Sequence, residues 1–317
     1  LVNRKIVVLD GFASNPHDLD WQILEQFGEL TVYDRTRPEE VAERIEGAQI
    51  VLVNKTPLDA VAIENAPELR LISILATGYN IVDLTAAKRC GVTVCNVPGY
   101  STNAVAQMTM ALLLECTQKV GLHNAAVHEG EWSRSPDFCF WKAPLMELYG
   151  KTIGLVGFGA IGTAVARAAE AFGLRVIYHS ARPREDKNYV NLETLLMESD
   201  IVSLHCPLTA SNAKMINSET LAKMKRGAIL INTARGGLID EAAVAQALRE
   251  GKLAYFAADV VSKEPIEADN PLLTAPNCIL TPHIAWAPRE TRERLHRISA
   301  ENVRAFLAGT PQNIVNP

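Results

Sequence analysis

Three charged residues stand just past strand-like runs in the second half of the chain. Arg235 follows Ala228–Thr233, Glu264 follows Leu253–Val260, and His283 follows Cys278–Leu280. A guanidinium can grip a carboxylate through two N–H groups and polarise an adjoining 2-oxo group. An imidazole can hand a proton to the alkoxide that develops as a carbonyl is reduced. A carboxylate beside the imidazole can fix its tautomer and stabilise the imidazolium. Singly, each residue has a plainer role open to it: a loop charge, a turn acid, a structural histidine. As a set they suit hydride transfer to a 2-keto acid, the hydride coming from a cofactor.

A cofactor cradle is legible upstream. Ile153–Val156 is a short apolar run, and Gly157, Gly159 and Gly162 follow it at G-x-G-x-x-G spacing around Phe158, Ala160 and Ile161. Thr163–Phe172 then has helical composition. Gly157 allows a tight turn, Gly159 lets the backbone approach a pyrophosphate, and Gly162 lets the helix pack closely on the strand. The helix N-terminus faces the anion. An ordinary tight loop is the alternative. The strand before, the helix after and a second strand at Leu174–His179 favour the dinucleotide site. At the end of that second strand an NAD site usually places an acid for the ribose hydroxyls. Here the chain reads His179-Ser180-Ala181-Arg182-Pro183-Arg184, with no acid before Glu185. Ser180 can donate to a 2′-phosphate, and Arg182 or Arg184 can neutralise it. The pattern favours NADP over NAD, a solvated turn being the alternative.

These residues need a scaffold, and the alternation of the chain supplies one. Strands are expected at Lys5–Leu9, Leu30–Tyr33, Gln49–Val53, Leu71–Leu75 and Val92–Cys95. Helices are expected between them at Asp18–Phe27, Pro38–Ile45, Asp59–Glu64 and Asp83–Arg89. Further βα units follow the glycine loop, with strands at Ile201–His205 and Ala228–Thr233 and helices at Ser218–Met224, capped by Ser218, and Glu241–Arg249. Such alternation predicts an α/β fold of two doubly wound parallel sheets, with helices on both faces. Open parallel sheets bind ligands beyond their strand ends. In the first half this points to the loops Asn54-Lys55-Thr56-Pro57 and Ala76-Thr77-Gly78-Tyr79-Asn80, where small residues can turn backbone N–H groups toward an anion or simply make a turn. Ser101–Gln118 reads as one long crossover helix. Gly121–Tyr149 reads as an irregular arm carrying Trp132, Phe138, Phe140 and Trp141, suited to burial against a partner subunit or against its own domain. Arg289–Leu307 closes the chain as a structural amphipathic helix with Leu295, Ile298, Val303, Phe306 and Leu307 on one face.

Composition narrows the class. The 317 residues are 48% hydrophobic and 21% charged with net charge −5, which suits a globular protein and disfavours nucleic-acid binding. No apolar run is long enough to span a membrane. None of the six cysteines forms a C-x-x-C pair, and no metal-ligand spacing occurs. A strand-like run begins at Lys5 with no leader before it, so the expected setting is the cytoplasm.

Across nearly its whole length the chain resembles the D-isomer-specific 2-hydroxyacid dehydrogenases. The matching stretches are Gly154–Gly162, Ile231–Gly236, Asp259-Val260 with Glu264-Pro265, Asn270-Pro271-Leu272 and Thr281-Pro282-His283. Asn54–Leu58, Phe138–Trp141 and His283–Ala287 look most like the glycerate dehydrogenase, or hydroxypyruvate reductase, branch. The resemblance implies a flavodoxin-like substrate domain, 1–98 and 288–317, with an inserted Rossmann domain, 99–287. It implies Arg235 on the substrate carboxylate, His283 as acid/base with Glu264 as its partner, and backbone groups of Thr77, Gly78 and Tyr79 gripping the substrate. It also implies Asp259 near the nicotinamide, His205, Cys206 and Pro207 near the adenosine, and Thr233 and Ala234 along the cofactor. A homodimer is implied, with 121–149 as its arm. Lys55 and Trp141 are the expected selectors of the substrate's distal end, Trp141 from either subunit. Reduction of hydroxypyruvate or glyoxylate is the expected activity. A D-lactate-type or broad 2-keto acid reductase is the alternative, and a dinucleotide-sensing, corepressor-like binding protein is the alternative of another class. Gln107, where many members have Glu, and the missing acid after Tyr178 depart from the family pattern.

Overall fold

A computed structural model describes residues 4–182 and 188–317. Arg184 and Glu185 lie outside the described residues. The chain forms two units, Leu1–Ser101 with Ala287–Pro317, and Thr102–Trp286. The first unit runs β1 (Lys5–Val8), α1 (Gln22–Glu25), β2 (Glu29–Val32), α2 (Val41–Ile45), β3 (Ile50–Val53), α3 (Ala60–Glu64), β4 (Leu71–Ile74), α4 (Leu84–Arg89) and β5 (Thr93–Cys95). The second opens with α5 (Thr102–Gln118) and α6 (Val120–His128). It continues β6 (Thr152–Val156), α7 (Ala160–Ala171), β7 (Arg175–His179), α8 (Leu192–Glu198), β8 (Ile201–Leu204), α9 (Ser218–Lys223), β9 (Ala228–Asn232), α10 (Glu241–Arg249), β10 (Leu253–Ala258) and β11 (Cys278–Leu280). The chain returns to the first unit with α11 (Arg289–Leu307).

Both units are the expected parallel α/β sheets. The first has strand order β2-β1-β3-β4-β5 and the second β11-β10-β9-β8-β6-β7, every ladder parallel. The direction of winding reverses between β1 and β3 in one sheet and between β6 and β8 in the other. Loops leaving the carboxyl ends of those strands diverge and open a crevice. The inner strands are apolar on both faces because helices cover both. Ile50, Val51, Leu52 and Val53 are all buried, and so are Ile153, Leu155 and Val156 of β6. Alternate residues divide between two cores: Ile153, Leu155 and Tyr178 pack toward α5 and α7, while Val156, Val202 and Leu204 pack toward α8 and α10.

Four local expectations are corrected. The helix expected over Asp18–Phe27 shrinks to Gln22–Glu25, because Asn15 Oδ1 accepts the N–H groups of Asp18 and Leu19 and turns the chain there. The arm expected to be irregular holds α6, with a 3₁₀ turn at Trp132–Arg134. Lys119, at φ +52°, bends the chain out of α5, so Gly121 falls in the first turn of a new helix where its low propensity costs little. Asn217, not Ser218, caps α9, its side chain accepting from Glu219 and Thr220. The unforeseen α8 starts from the Asn191 cap.

The buried stripe of α11 is also more polar than the apolar face expected. It contains Arg292, His296 and Asn302, while Ile298, Phe306 and Leu307 are only half-buried. Arg292 makes a two-pronged ion pair with Asp18, at 2.6 and 2.7 Å. His296 stacks on Trp21 at 4.4 Å and shares a hydrogen bond with Ser14 Oγ at 3.1 Å.

Among the described residues no helix is long and apolar enough to cross a membrane. No group of three or more His, Cys, Asp or Glu side chains is gathered there to hold a metal ion. The six cysteines are free thiols.

Burial, reinforced by the Arg292 charge, pushes the His296 imidazole from 6.5 down to about 4. The unfolded histidine takes up its proton near pH 6.5 and the folded one only near pH 4, so acid favours the unfolded chain through that window. This contribution is complete above pH 6.5 and declines by up to about 3 kcal/mol as pH falls toward 4. Urea midpoints measured from pH 7 to 4 will fall less steeply for His296→Gln than for the parent. Equal slopes would show that His296 does not set this dependence.

Candidate active site

The three charged candidates sit past the carboxyl ends of adjacent strands, β9, β10 and β11. His283 and Glu264 meet directly: Nδ1 lies 2.6 Å from Glu264 Oε2, both side chains half-buried. A carboxylate accepts only, so Nδ1 carries the proton and Nε2 is left as the working nitrogen. The other carboxylate oxygen, Oε1, accepts the N–H of Val261 at 3.3 Å.

His283 has φ +55°, a left-handed conformation that costs a residue with a side chain about 1–2 kcal/mol. Asp259 holds it there. Its buried carboxylate accepts from Thr281 Oγ1 at 2.5 Å, from Ile284 N at 2.9 Å and from Ala285 N at 2.7 Å, bracketing His283 on both sides. Hydrogen bonds to a charged group contribute about 1.5–3 kcal/mol each, more than the backbone cost.

Arg235 is exposed, and its Nη1 donates to the neighbouring Ala234 carbonyl at 2.7 Å. The turn that carries it is built by buried Asn232, whose Oδ1 accepts Ala234 N and whose Nδ2 donates to Arg235 O. Thr233 is anchored to α5 through Thr109, hydroxyl to hydroxyl at 2.9 Å. Gly236 lets this turn lie against the loop after β10, since a Cβ there would stand 1.9 Å from the Val261 carbonyl carbon. Glu241 braces the same loop from α10, accepting from Ser262 N and Oγ and from Asn270 Nδ2.

The glycine loop lies at the β6/β8 reversal. Gly157, at φ +101°, presses on the His205-Cys206 backbone, and a Cβ on Gly162 would meet the Gly157 carbonyl oxygen at 2.3 Å. A side chain on Gly159 would meet nothing within 4 Å, and Gly159 is the residue from which α7 begins, Ala160 and Ile161 forming its first turn. This is an open cradle at a helix N-terminus, and a dinucleotide pyrophosphate fits it. Gly157 N donates to His179 O at 2.8 Å, which puts Ser180 beside the cradle. Ser180 Oγ accepts the N–H of exposed Arg182 at 3.3 Å. His205 Nε2 shares a hydrogen bond with Ser203 Oγ, and its buried Nδ1 has no partner. Burial pushes this imidazole down to about 4, so it is neutral near pH 7. Asn212 fixes the following turn by donating to Pro207 O, and burial raises the Cys206 thiol.

In the first unit, Lys55 and Tyr79 are exposed. Thr77 is engaged structurally: its hydroxyl donates to Val97 O and its carbonyl accepts from Asn96 Nδ2, and Gly78 after it is half-buried. Trp141, in the arm of the second unit, is 68% exposed. The residues given no role in the sequence are the braces Asn232, which is buried, and Thr281 and Glu241, which are half-buried. The only signal for them was a polar residue at the end of a buried run or the start of a helix.

Asp259→Asn keeps the size of the brace but replaces one accepting oxygen with a donor. The expected result is a kcat lowered about 10- to 100-fold, matching the loss of one charged hydrogen bond, a larger effect than any loss of cofactor affinity. Steady-state rates and a cofactor titration check this, and an unchanged kcat would remove Asp259 as the brace of His283.

Comparison with known proteins agrees with this geometry. Residues 110–285 match the family model for the D-isomer specific 2-hydroxyacid dehydrogenase NAD binding domain. The chain is 50% identical to a hydroxypyruvate reductase of Blautia hydrogenotrophica, over 98% of this chain and 99% of that one. It is 40% identical to a glycerate dehydrogenase of Methylorubrum extorquens, over 99% of each. Its fold matches the crystal structure of an NADPH-dependent glyoxylate/hydroxypyruvate reductase from Sinorhizobium meliloti in complex with citrate, with TM-score 0.86, 29% identity and 99% of each chain covered. With a strand-end Arg, Glu and His set, a glycine cradle and relatives aligned from end to end, the chain belongs to the D-isomer-specific 2-hydroxyacid dehydrogenases.

Proposed function

We propose that this enzyme reduces hydroxypyruvate or glyoxylate, to D-glycerate or glycolate, with NADPH as the favoured cofactor. The observation that carries the chemistry is the 2.6 Å His283–Glu264 contact, an arrangement for which a pure dinucleotide sensor has no use. When bound, the cofactor supplies the hydride. His283 Nε2 delivers the proton to the 2-oxo oxygen and takes it back in the reverse direction, and Glu264 steadies the imidazolium between the two. Arg235 holds the carboxylate through the N–H groups of its fork that the Ala234 carbonyl does not take. Gly157, Gly159, Ala160, Ile161 and Gly162 receive the pyrophosphate, with His205, Cys206 and Pro207 along the adenosine side and Thr233, Ala234 and Asp259 along the nicotinamide side. The backbone around Thr77, Gly78 and Tyr79 grips the substrate.

The NADPH preference is supported by the end of β7, where Ser180 and Arg182 stand beside the cradle with no acid between His179 and Arg182. The choice of a C2–C3 substrate is supported by the names of the relatives, and by Lys55 as a cation for its distal end.

The same proposal includes a cytoplasmic homodimer. Phe138 is 89% exposed, and Trp132, Trp141, Leu145 and Tyr149 are exposed with it, an apolar patch along one arm that a second copy would cover. Trp141 would then border an active site.

Matched initial-rate series with hydroxypyruvate are expected to show a kcat/KM at least about tenfold higher with NADPH than with NADH, one charged contact's worth. Ser180→Asp should reverse that order. His283→Ala should lower kcat about 10²–10⁴-fold with NADPH affinity unchanged. A parent enzyme that prefers NADH would refute the cofactor assignment, and full activity in His283→Ala would refute the acid/base assignment.

A further inference from the structure

Asp10 stands just past the end of β1, the strand between β2 and β3 in the first unit's sheet, and the mechanism above gives it nothing to do. Its carboxylate is nonetheless the most heavily engaged in that unit's strand-end loops. Oδ1 accepts Asn54 N at 2.7 Å. Oδ2 accepts Lys55 N at 2.6 Å, Thr56 N at 2.7 Å and Thr56 Oγ1 at 3.1 Å. Three successive backbone N–H groups thus converge on one side chain, the arrangement a free anion would otherwise occupy. Asn54 and Thr56 are buried, so without the carboxylate their N–H groups would lose acceptors that water cannot readily replace, at a cost of about 1–3 kcal/mol each.

The same loop is tied onward. Asn54 Nδ2 donates to Leu75 O at 2.6 Å, at the carboxyl end of β4, from which the Thr77–Tyr79 turn departs. A continuous chain of hydrogen bonds therefore runs from Asp10 through Asn54 to the start of the turn proposed to grip the substrate. Asp10 also lines a cleft of about 420 Å³ with Phe12, Arg35, Lys55 and Thr36. Both of its oxygens are consumed by the loop, so its part in that cleft is to hold the wall.

We infer that Asp10 is a positioning residue of the substrate site, acting through the Asn54–Thr56 loop on Lys55 and on the Thr77–Tyr79 turn. This rests on the reading that those segments receive the keto acid. Asp10 touches no reacting atom, so its loss should weaken substrate binding while leaving cofactor binding and the proton relay in the other unit unaltered.

The test uses the full chain with saturating NADPH and varied hydroxypyruvate, comparing Asp10→Asn, Asp10→Glu, Thr56→Val and Lys55→Ala. Asp10→Asn is expected to raise KM about tenfold, one charged hydrogen bond's worth, with kcat and the NADPH dissociation constant nearly unchanged. Asp10→Glu should recover part of the loss. Thr56→Val removes only the hydroxyl contact and should shift KM the same way by about two- to threefold, and it carries the test if Asp10→Asn does not fold. An unchanged KM in the folded variants overturns the inference. So does a parallel loss of kcat, substrate affinity and cofactor affinity, which would mark general loosening. Lys55→Ala then separates the two failures. If it raises KM while the Asp10 and Thr56 variants do not, the substrate site is right and the positioning role is wrong. If none of them moves KM, the substrate reading falls and takes the positioning role with it.

Discussion

A single buried carboxylate governs the loop that follows β11. Asp259 gathers donors from Thr281, Ile284 and Ala285, and the residue they enclose, His283, holds a backbone conformation that side chains avoid. The imidazole owes its direction to that frame as much as to Glu264. Remove the frame and the left-handed turn has no reason to persist, because nothing intrinsic to histidine favours it. The His283 imidazole is aimed by backbone geometry, and that geometry is secured by charge.

The wider structure repeats this economy. Parallel strands end in register, so one residue past each end lies beside its counterpart on the next strand. Asn232, Asp259 and Glu241 then convert that coarse alignment into fixed loops by giving backbone N–H groups acceptors they would otherwise lack. Glycine does the complementary work where two backbones must nearly touch, as Gly157 does against the end of β8. The hydrophobic layers on either side hold the strands, and these few polar braces hold the chemistry.

Much of this was legible in the sequence. Alternating apolar runs and helical stretches announced two parallel sheets because buried strands must be apolar on both faces. The glycine spacing was readable because the phosphate cradle constrains backbone more than side chains. Arg235, Glu264 and His283 could be singled out by residue type and place, and the pairing of His283 with Glu264 is what the structure adds. The braces were hidden for the opposite reason: an Asn or Glu at a strand end or helix start looks the same whether it binds a ligand or its own loop. The arm, expected to be irregular from Gly121, holds a helix that starts at Val120, because the chain turns at Lys119 and then resumes helical form. The face of α11 was misread because its buried positions were assigned to apolar residues, whereas Arg292 and His296 are buried with partners that sequence periodicity does not reveal.

The contact at Gly236 binds the fates of two parts of the enzyme. With no room for even a methyl group between the Arg235 turn and the Val261 backbone, the segment that carries Arg235 and the segment that carries Glu264 are packed directly against each other. Evolution therefore cannot readily adjust one without disturbing the other. New substrates are more easily accommodated by altering loops elsewhere in the chain. A lineage built on this arrangement would diversify in what it accepts while its proton-transfer machinery stayed nearly still.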